Sequence, residues 1–386
     1  MSETAETSPT LMERLAQPSA RRMGWSPALD GVRGLGVVLV MLYHYLGDYN
    51  FYVRGFPVLI DLFFVLSGFL ITTLMFEERQ KRGSVSLRAF YMRRVFRLFP
   101  ALYSLLAVFL VYIIFLGGDN RGQYFQEFLA AGLYFYNFYI AWTGVVGQVL
   151  VQLWTLSVEE QFYFIWPICF IWMMKGLSNL RLRVALSVMV SFVVVWPILR
   201  MTLDSELGER TLSSFVFGLA IMRPDSIVLG CLAAMAFRLE PVDLGPRARM
   251  LAARSGDVAL VIFLMALCLG GFRHFGPFVS VAANLAVLVL ALWVLDLVRN
   301  PDRVVARLLA NPRLVWLGKR SYGLYIWHML VYFVIHGIVA GVMPGKARLV
   351  VLVSMPIAFA ATLGVAILSW NFIEGPALRI KKRFET

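Results

Sequence analysis

Long apolar blocks constrain this chain more than any other feature. They run at about residues 32–47, 57–76, 98–117, 128–142, 154–174, 183–200, 222–238, 256–271, 278–297, 321–341 and 347–370. Most approach the ~20 residues a helix needs to cross the hydrocarbon core of a bilayer. The apolar residues are continuous rather than alternating, which is a helical and not a strand pattern. Only 15% of the 386 residues are charged and 60% are hydrophobic, whereas about a quarter of a soluble domain is charged. Backbone groups in lipid must be satisfied within their own segment. The expected fold is all-α, one polytopic helical membrane domain over residues 25–378. No domain boundary, repeat or low-complexity tract interrupts it.

Charge sets the expected topology. The net charge is +13, and the basic residues crowd the short loops between blocks. That is the signature of cytoplasmic loops and argues against nucleic-acid binding. Arg21 and Arg22 place the N-terminus inside, and "EERQKRGSVSLRAFYMRRVFR" is inside as well. If the block at 128–142 crossed the membrane, "KGLSNLRLR", "RNPDRVVARLLANPRLVWLGKR" and the tail "RIKKRF" would fall outside. That block is short and rich in Tyr, Phe and Trp, so it is expected to be interfacial or re-entrant. About ten transmembrane helices follow, with both termini cytoplasmic. Residues 1–24 lack the pattern of a signal peptide and read as a flexible cytoplasmic tail; residues 379–386 form a basic one. Cys169, Cys231 and Cys268 have no metal-ligand spacing and read as packing residues.

The first block carries an arginine and a histidine: "LDGVRGLGVVLVMLYHY". Both are expensive in lipid, and such residues are functional by default. Arg33 and His44 are eleven residues apart, about three turns, so they share one face about 16 Å apart along the axis, with Val37 and Val40 between them. Arg33 lies at the inner mouth, where it could bind phosphate or simply snorkel to the headgroups. His44 lies toward the outer half, where it could move a proton or attack an electrophile. Tyr43 stands beside it as a further candidate lining residue.

Other ionisable residues then fall at matching depths. Asp61 opens "DLFFVLSGFLIT", Glu159 and Glu160 sit early in "LWTLSVEEQFYFIWP", and Asp225 opens a later block. These carboxylates share the outer half with His44, and one of them is expected to orient its ring. Adjacent positions face different sides of a helix, so only one of Glu159 and Glu160 should point inward. At the inner surface, Arg93, Arg94 and Arg97 precede the third block. Arg94 and Arg97 share a helical face and could hold phosphate groups, though basic residues flank spans on this side in any case. Gly34, Gly36, Ser67 and Gly68 would let helices approach closely, and Ser67 is also a candidate lining residue. His328, in "SYGLYIWH", either lines the same cavity or bonds a neighbouring carbonyl. No role is assigned to His274 or His336.

These segments, in this order, resemble the acyltransferase-3 family of integral membrane O-acyltransferases. The likeness rests on "LDGVRGLGVVLVMLYHY", "DLFFVLSGFLIT", "FYMRRVFRLFPALY", "LWTLSVEEQFYFIWP", "RPDSIVLG", "SYGLYIWH" and "FIEGPAL", which together reach from about residue 29 to 378. The resemblance implies ten transmembrane helices in the inner (plasma) membrane. It also implies transfer of an acyl group, often acetyl, from cytoplasmic acyl-coenzyme A to a hydroxyl of a glycan, glycolipid or small molecule. By the family pattern Arg33 and His44 match the essential pair, Arg94 and Arg97 the inner arginine pair, and Glu159 or Glu160 the acidic motif. Thr155 stands where relatives usually carry serine. The chain past Glu374 is too short for the hydrolase-like domain that some relatives add, so single-domain members are the expected analogy.

Residues and resemblance lead to one expected mechanism. Arg33, Arg93, Arg94 and Arg97 would bind the coenzyme A phosphates, and its thin arm would run along the Arg33–His44 face. His44 would be the general base, oriented by Glu159 or Asp61; a covalent acyl-histidine is the rival chemistry. No metal and no obligate protein partner are expected. A transporter or flippase could use the same buried charges, but would be expected to show inverted repeats and broken helices in matching halves. A sensor or structural role would leave the buried charges without a purpose.

Overall fold

The computed structural model describes residues 23–46, 57–175, 178–206, 223–238 and 277–384, with isolated positions 254, 258 and 261. No strand occurs among them. The helices are α1 (Pro27–Leu46), α2 (Pro57–Arg82), α3 (Leu87–Leu116), α4 (Arg121–Gly132), α5 (Tyr136–Thr143), α6 (Leu153–Met174) and α7 (Asn179–Glu206). They continue with α8 (Pro224–Arg238), α9 (Pro277–Arg299), α10 (Val304–Leu309), α11 (Pro312–Lys319), α12 (Ser321–Val342) and α13 (Ala347–Ser369). A π-turn over Trp370–Glu374 leads into α14 (Gly375–Lys381).

Local chemistry sets several of these starts. Helices α1, α2, α8, α9 and α11 each begin on a proline, whose fixed φ and missing N–H suit the first helical position. Ser86 caps α3 by accepting from the Ala89 amide at 3.3 Å, and Asn311 caps α11 by accepting from the Arg313 amide at 2.9 Å. Such caps satisfy amides that the helix itself leaves open.

Six helical stretches are long and apolar enough to cross a membrane: α1, 59–82, α3, 179–199, α12 and the run 347–381. Exposed Val108, Val111, Ile114 and Phe115 on α3, and Val188, Val195 and Ile198 on α7, are the apolar faces such spans turn to lipid. The count of about ten expected from the sequence is not reached among the described residues. The blocks at 154–174, 222–238 and 278–297 are helices α6, α8 and α9, whereas most of the block at 256–271, and Cys268 and His274, lie outside the described residues. The aromatic block at 128–142 is not one helix. It is divided between α4 and α5, with Tyr134 at φ 57° between them. Neither piece reaches the ~20 residues of a span.

Close backbone contacts build the bundle. A Cβ on Gly34 would strike the Leu314 carbonyl, and one on Gly318 would strike the Asp30 carbonyl, so α1 and α11 pack backbone to backbone. Helices α2 and α8 do the same reciprocally, Gly68 against the Ile227 carbonyl and Gly230 against the Val65 carbonyl. Cys231 lies buried in this seam with its thiol 3.6 Å from the Gly68 carbonyl, while Cys169 is exposed on α6. Small residues at interfaces are how helices gain contact in lipid, where no hydrophobic effect drives them together. The end of the bundle that carries Arg33, Arg93, Arg94, Arg97 and the basic α14 is termed inner below. Arg93 links α3 to the chain end there by donating to the Phe384 carbonyl at 2.9 Å.

Candidate active site

Three helices that start or end at the inner face, together with α6 and α12, enclose a cavity of about 140 Å³. Helix α1 contributes Arg33, Val40 and His44 to its wall, α2 contributes Ser67, and α3 contributes Arg94 and Arg97. Helix α6 contributes Glu159 and Tyr163, and α12 contributes Tyr322 and Tyr325. The eleven-residue spacing in α1 therefore puts both of its ionisable side chains into one cavity, as helix geometry requires. Val40 lies on the same wall, but Val37 turns away into the fully buried packing against Leu324 and Tyr332.

The inner half of the cavity is positive. Arg33 pairs with Asp30 at 3.3 Å, one turn earlier in α1. The Arg94 guanidinium lies over the Tyr163 ring, 4.4 Å from its centre. Glu159 stands among these cations, under the combined field of Arg94, Arg33 and Arg97, and accepts from the Ser67 hydroxyl at 2.5 Å. Two further cavities at the inner face share these residues. One includes Arg33, Arg94 and Arg97 with Trp25 and Asp30. The other includes Arg94 and Arg97 with Arg93, Lys81, Arg82 and Lys381.

At the outer half His44 lines the cavity and His328 stands behind it. His328 Nδ1 lies 2.7 Å from the Tyr325 carbonyl, and its Nε2 lies 3.0 Å from His44 Nδ1. A carbonyl only accepts, so His328 Nδ1 carries the proton. In a neutral ring Nε2 is then the acceptor, so His44 Nδ1 must donate. His44 Nε2 is left with its lone pair. The chain Tyr325 carbonyl, His328, His44 thus fixes the tautomer of the histidine that lines the cavity.

Several expectations are revised by this geometry. The partner of His44 is not a carboxylate. Asp61 is fully buried but turned toward α8, where it pairs with Arg223 at 2.5 Å and accepts from the Ser226 hydroxyl at 2.6 Å. It is not among the lining residues of the central cavity. Glu159 does line the cavity, but its hydrogen bond is to Ser67 and its charged neighbours are arginines. Glu160 faces away, and its Oε1 is buried with no hydrogen-bond partner. Asp225 is buried in the first turn of α8, where the helix dipole favours a carboxylate, and does not line the cavity. Arg93 belongs to the inner-face cavity only, where Glu78 pairs with it. Tyr43 touches His44 edge-on, with ring centres 5.3 Å apart, and is not a lining residue. Of the two alternatives open to His328, the structure shows the carbonyl bond: His328 does not line the cavity, and it meets the site only through His44.

Other lining residues carried no prior assignment. The hydroxyls of Tyr325 and Thr155 stand 2.6 Å apart, and Tyr325 donates to the Gln152 carbonyl at 2.8 Å. Tyr322 ties α12 to α3 by donating to the Leu98 carbonyl at 2.7 Å. The signal for these residues was present: Tyr322, Tyr325 and His328 recur at three-residue steps, hence on one face of α12.

Comparison with known proteins places this chain in a family. The acyltransferase domain model of the acyltransferase-3 type matches residues 26–371. The peptidoglycan O-acetyltransferase OatA of Listeria monocytogenes is 28% identical over 362 residues, covering 91% of this chain and 55% of that protein. A Staphylococcus aureus protein provisionally named an O-acetyltransferase is 29% identical over 377 residues, 92% of this chain and 58% of its own length. A Bacillus subtilis protein provisionally named a peptidoglycan O-acetyltransferase is 28% identical over 310 residues, with 78% and 48% covered. The chain therefore spans about half the length of these relatives. No solved structure matches it. With residues 26–371 matched as one unit, Arg33, His44, Glu159 and His328 included, this chain belongs to the acyltransferase-3 family of membrane acyltransferases.

Proposed function

We propose that the protein transfers an acyl group, typically acetyl, from cytoplasmic acyl-coenzyme A to a hydroxyl of an envelope glycan or glycolipid. One observation carries this reading above the others: a single cavity joins an inner cluster of arginines to a histidine whose Nδ1 is engaged by His328, which leaves Nε2 as the acceptor of the neutral ring. Coenzyme A has the matching form, with phosphates at one end and a thioester at the end of a thin arm. Arg33, Arg94 and Arg97 would take the phosphates through charge-assisted hydrogen bonds. The arm would run outward along α1, where about 16 Å separates Arg33 from His44 along the axis.

The reaction then follows from the tautomer. The acceptor hydroxyl donates its proton to His44 Nε2 as its oxygen attacks the thioester carbonyl. His44, now protonated, gives the proton to the departing coenzyme A sulfur. His328 is a positioning residue: it accepts from His44 Nδ1 throughout and keeps the ring from turning. A base placed this way contributes about 10²–10⁴-fold. Glu159 does not face the imidazole in this scheme. It holds Ser67 and offsets part of the arginine charge, so that the inner half can release coenzyme A after transfer.

The relatives named as peptidoglycan O-acetyltransferases favour a glycan acceptor outside the cytoplasm. The reading is tested by mass spectrometry of envelope glycans and glycolipids from cells with and without the protein. One acyl mass difference on one glycan class is expected. Net substrate transport into vesicles with no consumption of acyl donor would replace the enzyme reading by a transporter.

A further inference from the structure

A second polar cavity lies toward the outer end of the bundle, apart from the residues that line the first. It measures about 220 Å³ and is walled by α3, α4, α12 and the stretch before α6. A single water needs only about 10–15 Å³ by this measure, so the space suits a larger molecule. At its base is Glu127 on α4, 1% exposed. Its carboxylate accepts from Gln123 Nε2 at 3.0 Å and from the Tyr136 hydroxyl at 3.1 Å. Burial, then the Glu127 charge itself, pushes the Tyr136 phenol well above its ordinary range, so it remains a donor.

This arrangement is unusual for a purely structural carboxylate. Among the described residues no cation pairs with Glu127. A buried carboxylate without a counter-charge is costly. It offers about four acceptor positions, and two donors occupy only part of them. The Gly147 backbone packs directly against Glu127 Oε2, where a Cβ would strike it, so the acceptor positions left for a ligand are those of Oε1. The same cavity is lined by the rings of Phe109, Tyr124 and Phe333 and by the exposed Gln148. An acceptor carboxylate, side-chain amides and aromatic faces together match the two sides of a sugar ring, its hydroxyls and its C–H face.

The position is right for an acceptor. Gly147, Gln148 and Val149 line this outer cavity, and Gln152, Trp154 and Thr155, a few residues on, line the central one. Along α12, Phe333 stands five residues beyond His328, about 7.5 Å further out. We propose that this outer cavity is a glycan subsite in which Glu127 receives sugar hydroxyls and holds the acceptor while a neighbouring hydroxyl reaches His44. The carboxylate selects an uncharged, hydroxyl-rich ring over an anionic one. The proposal rests on the acyltransferase reading above.

The test compares cells that produce the full chain as wild type, Glu127→Gln and Gln148→Trp. The readout is base-labile acyl ester on the envelope glycans. The thermal shift that coenzyme A gives each purified variant checks its fold and donor site. Both variants are expected to lower ester content at least tenfold while keeping the coenzyme A shift. Gln148 is exposed, so its variant remains informative even if Glu127→Gln does not fold. Ester content at the wild-type level in Gln148→Trp, or in a folded Glu127→Gln, overturns the subsite. Absence of ester with the wild-type chain would instead overturn the acyltransferase reading itself.

Discussion

His328 Nε2 and His44 Nδ1 lie 3.0 Å apart, joining α12 to α1 across 284 positions of sequence. The Tyr325 carbonyl on the far side of His328 makes this contact directional, since it forces the proton onto His44 Nδ1. The site is built from two imidazoles in series, with only the second lining the cavity.

That direction can be tested by exchange at position 328. In His328→Gln the side-chain oxygen can still accept from His44 Nδ1, and transfer should fall by no more than about tenfold. His328→Lys offers only donors; it should reverse the tautomer of His44 and cost about 10²-fold or more, the range of a lost general base. Initial rates at saturating donor would show the order Gln above Lys. Equal losses in the two variants would mean that His328 serves packing alone.

At the inner end, replacing Arg94 or Arg97 by Gln should act on donor binding. A charge-assisted hydrogen bond contributes about 1.5–3 kcal/mol, so each change should raise the KM for acyl-coenzyme A about 10–100-fold. The effect should shrink when the donor lacks its nucleotide phosphates. An unchanged KM with a lower kcat would place these arginines at the chemistry instead.

Asp61 is predicted to act on stability. Its pairing with Arg223 is wholly inside the seam between α2 and α8. Breaking one side of a buried pair costs about 3–5 kcal/mol, and an apolar replacement of both sides is far less harmful. Asp61→Ala should therefore lower the thermal midpoint strongly, and Asp61→Leu with Arg223→Met should recover much of the loss. The double variant should retain coenzyme A binding, measured by thermal shift.

The lone pair on His44 is chemically able to attack the thioester itself. The general-base account predicts that no acyl-enzyme accumulates when acceptor is withheld. Acid quench after mixing with labelled acetyl-coenzyme A should leave well under one label per protein chain. Stoichiometric label on His44 would establish the covalent route.

Sequence made some of this legible and not the rest, for physical reasons. Arg33 and His44 share a face because eleven residues close about three helical turns, and that holds whatever the neighbours do. The family pattern, the apolar spans and the inner arginines were equally open to reading. The partner of His44 was not. Asp61 and Glu159 both open descending segments, so depth alone could not separate them. The rotation of each helix decided it, turning Asp61 to Arg223 and Glu159 to Ser67. His328 became the partner through a contact between helices distant in sequence, which no spacing within one segment encodes. The outer cavity was hidden for a similar reason. The block at 128–142 read as one aromatic segment, yet Glu127 precedes it, and the break at Tyr134 brings Tyr136 back onto that carboxylate.

The most direct measurement follows label from acetyl-coenzyme A to an envelope glycan acceptor in liposomes holding either wild-type protein or His44→Ala. The account predicts transfer by the wild type, a loss of at least about 10²-fold in the variant, and the same thermal shift with coenzyme A in both. Transfer by His44→Ala at a rate near that of the wild type would contradict it.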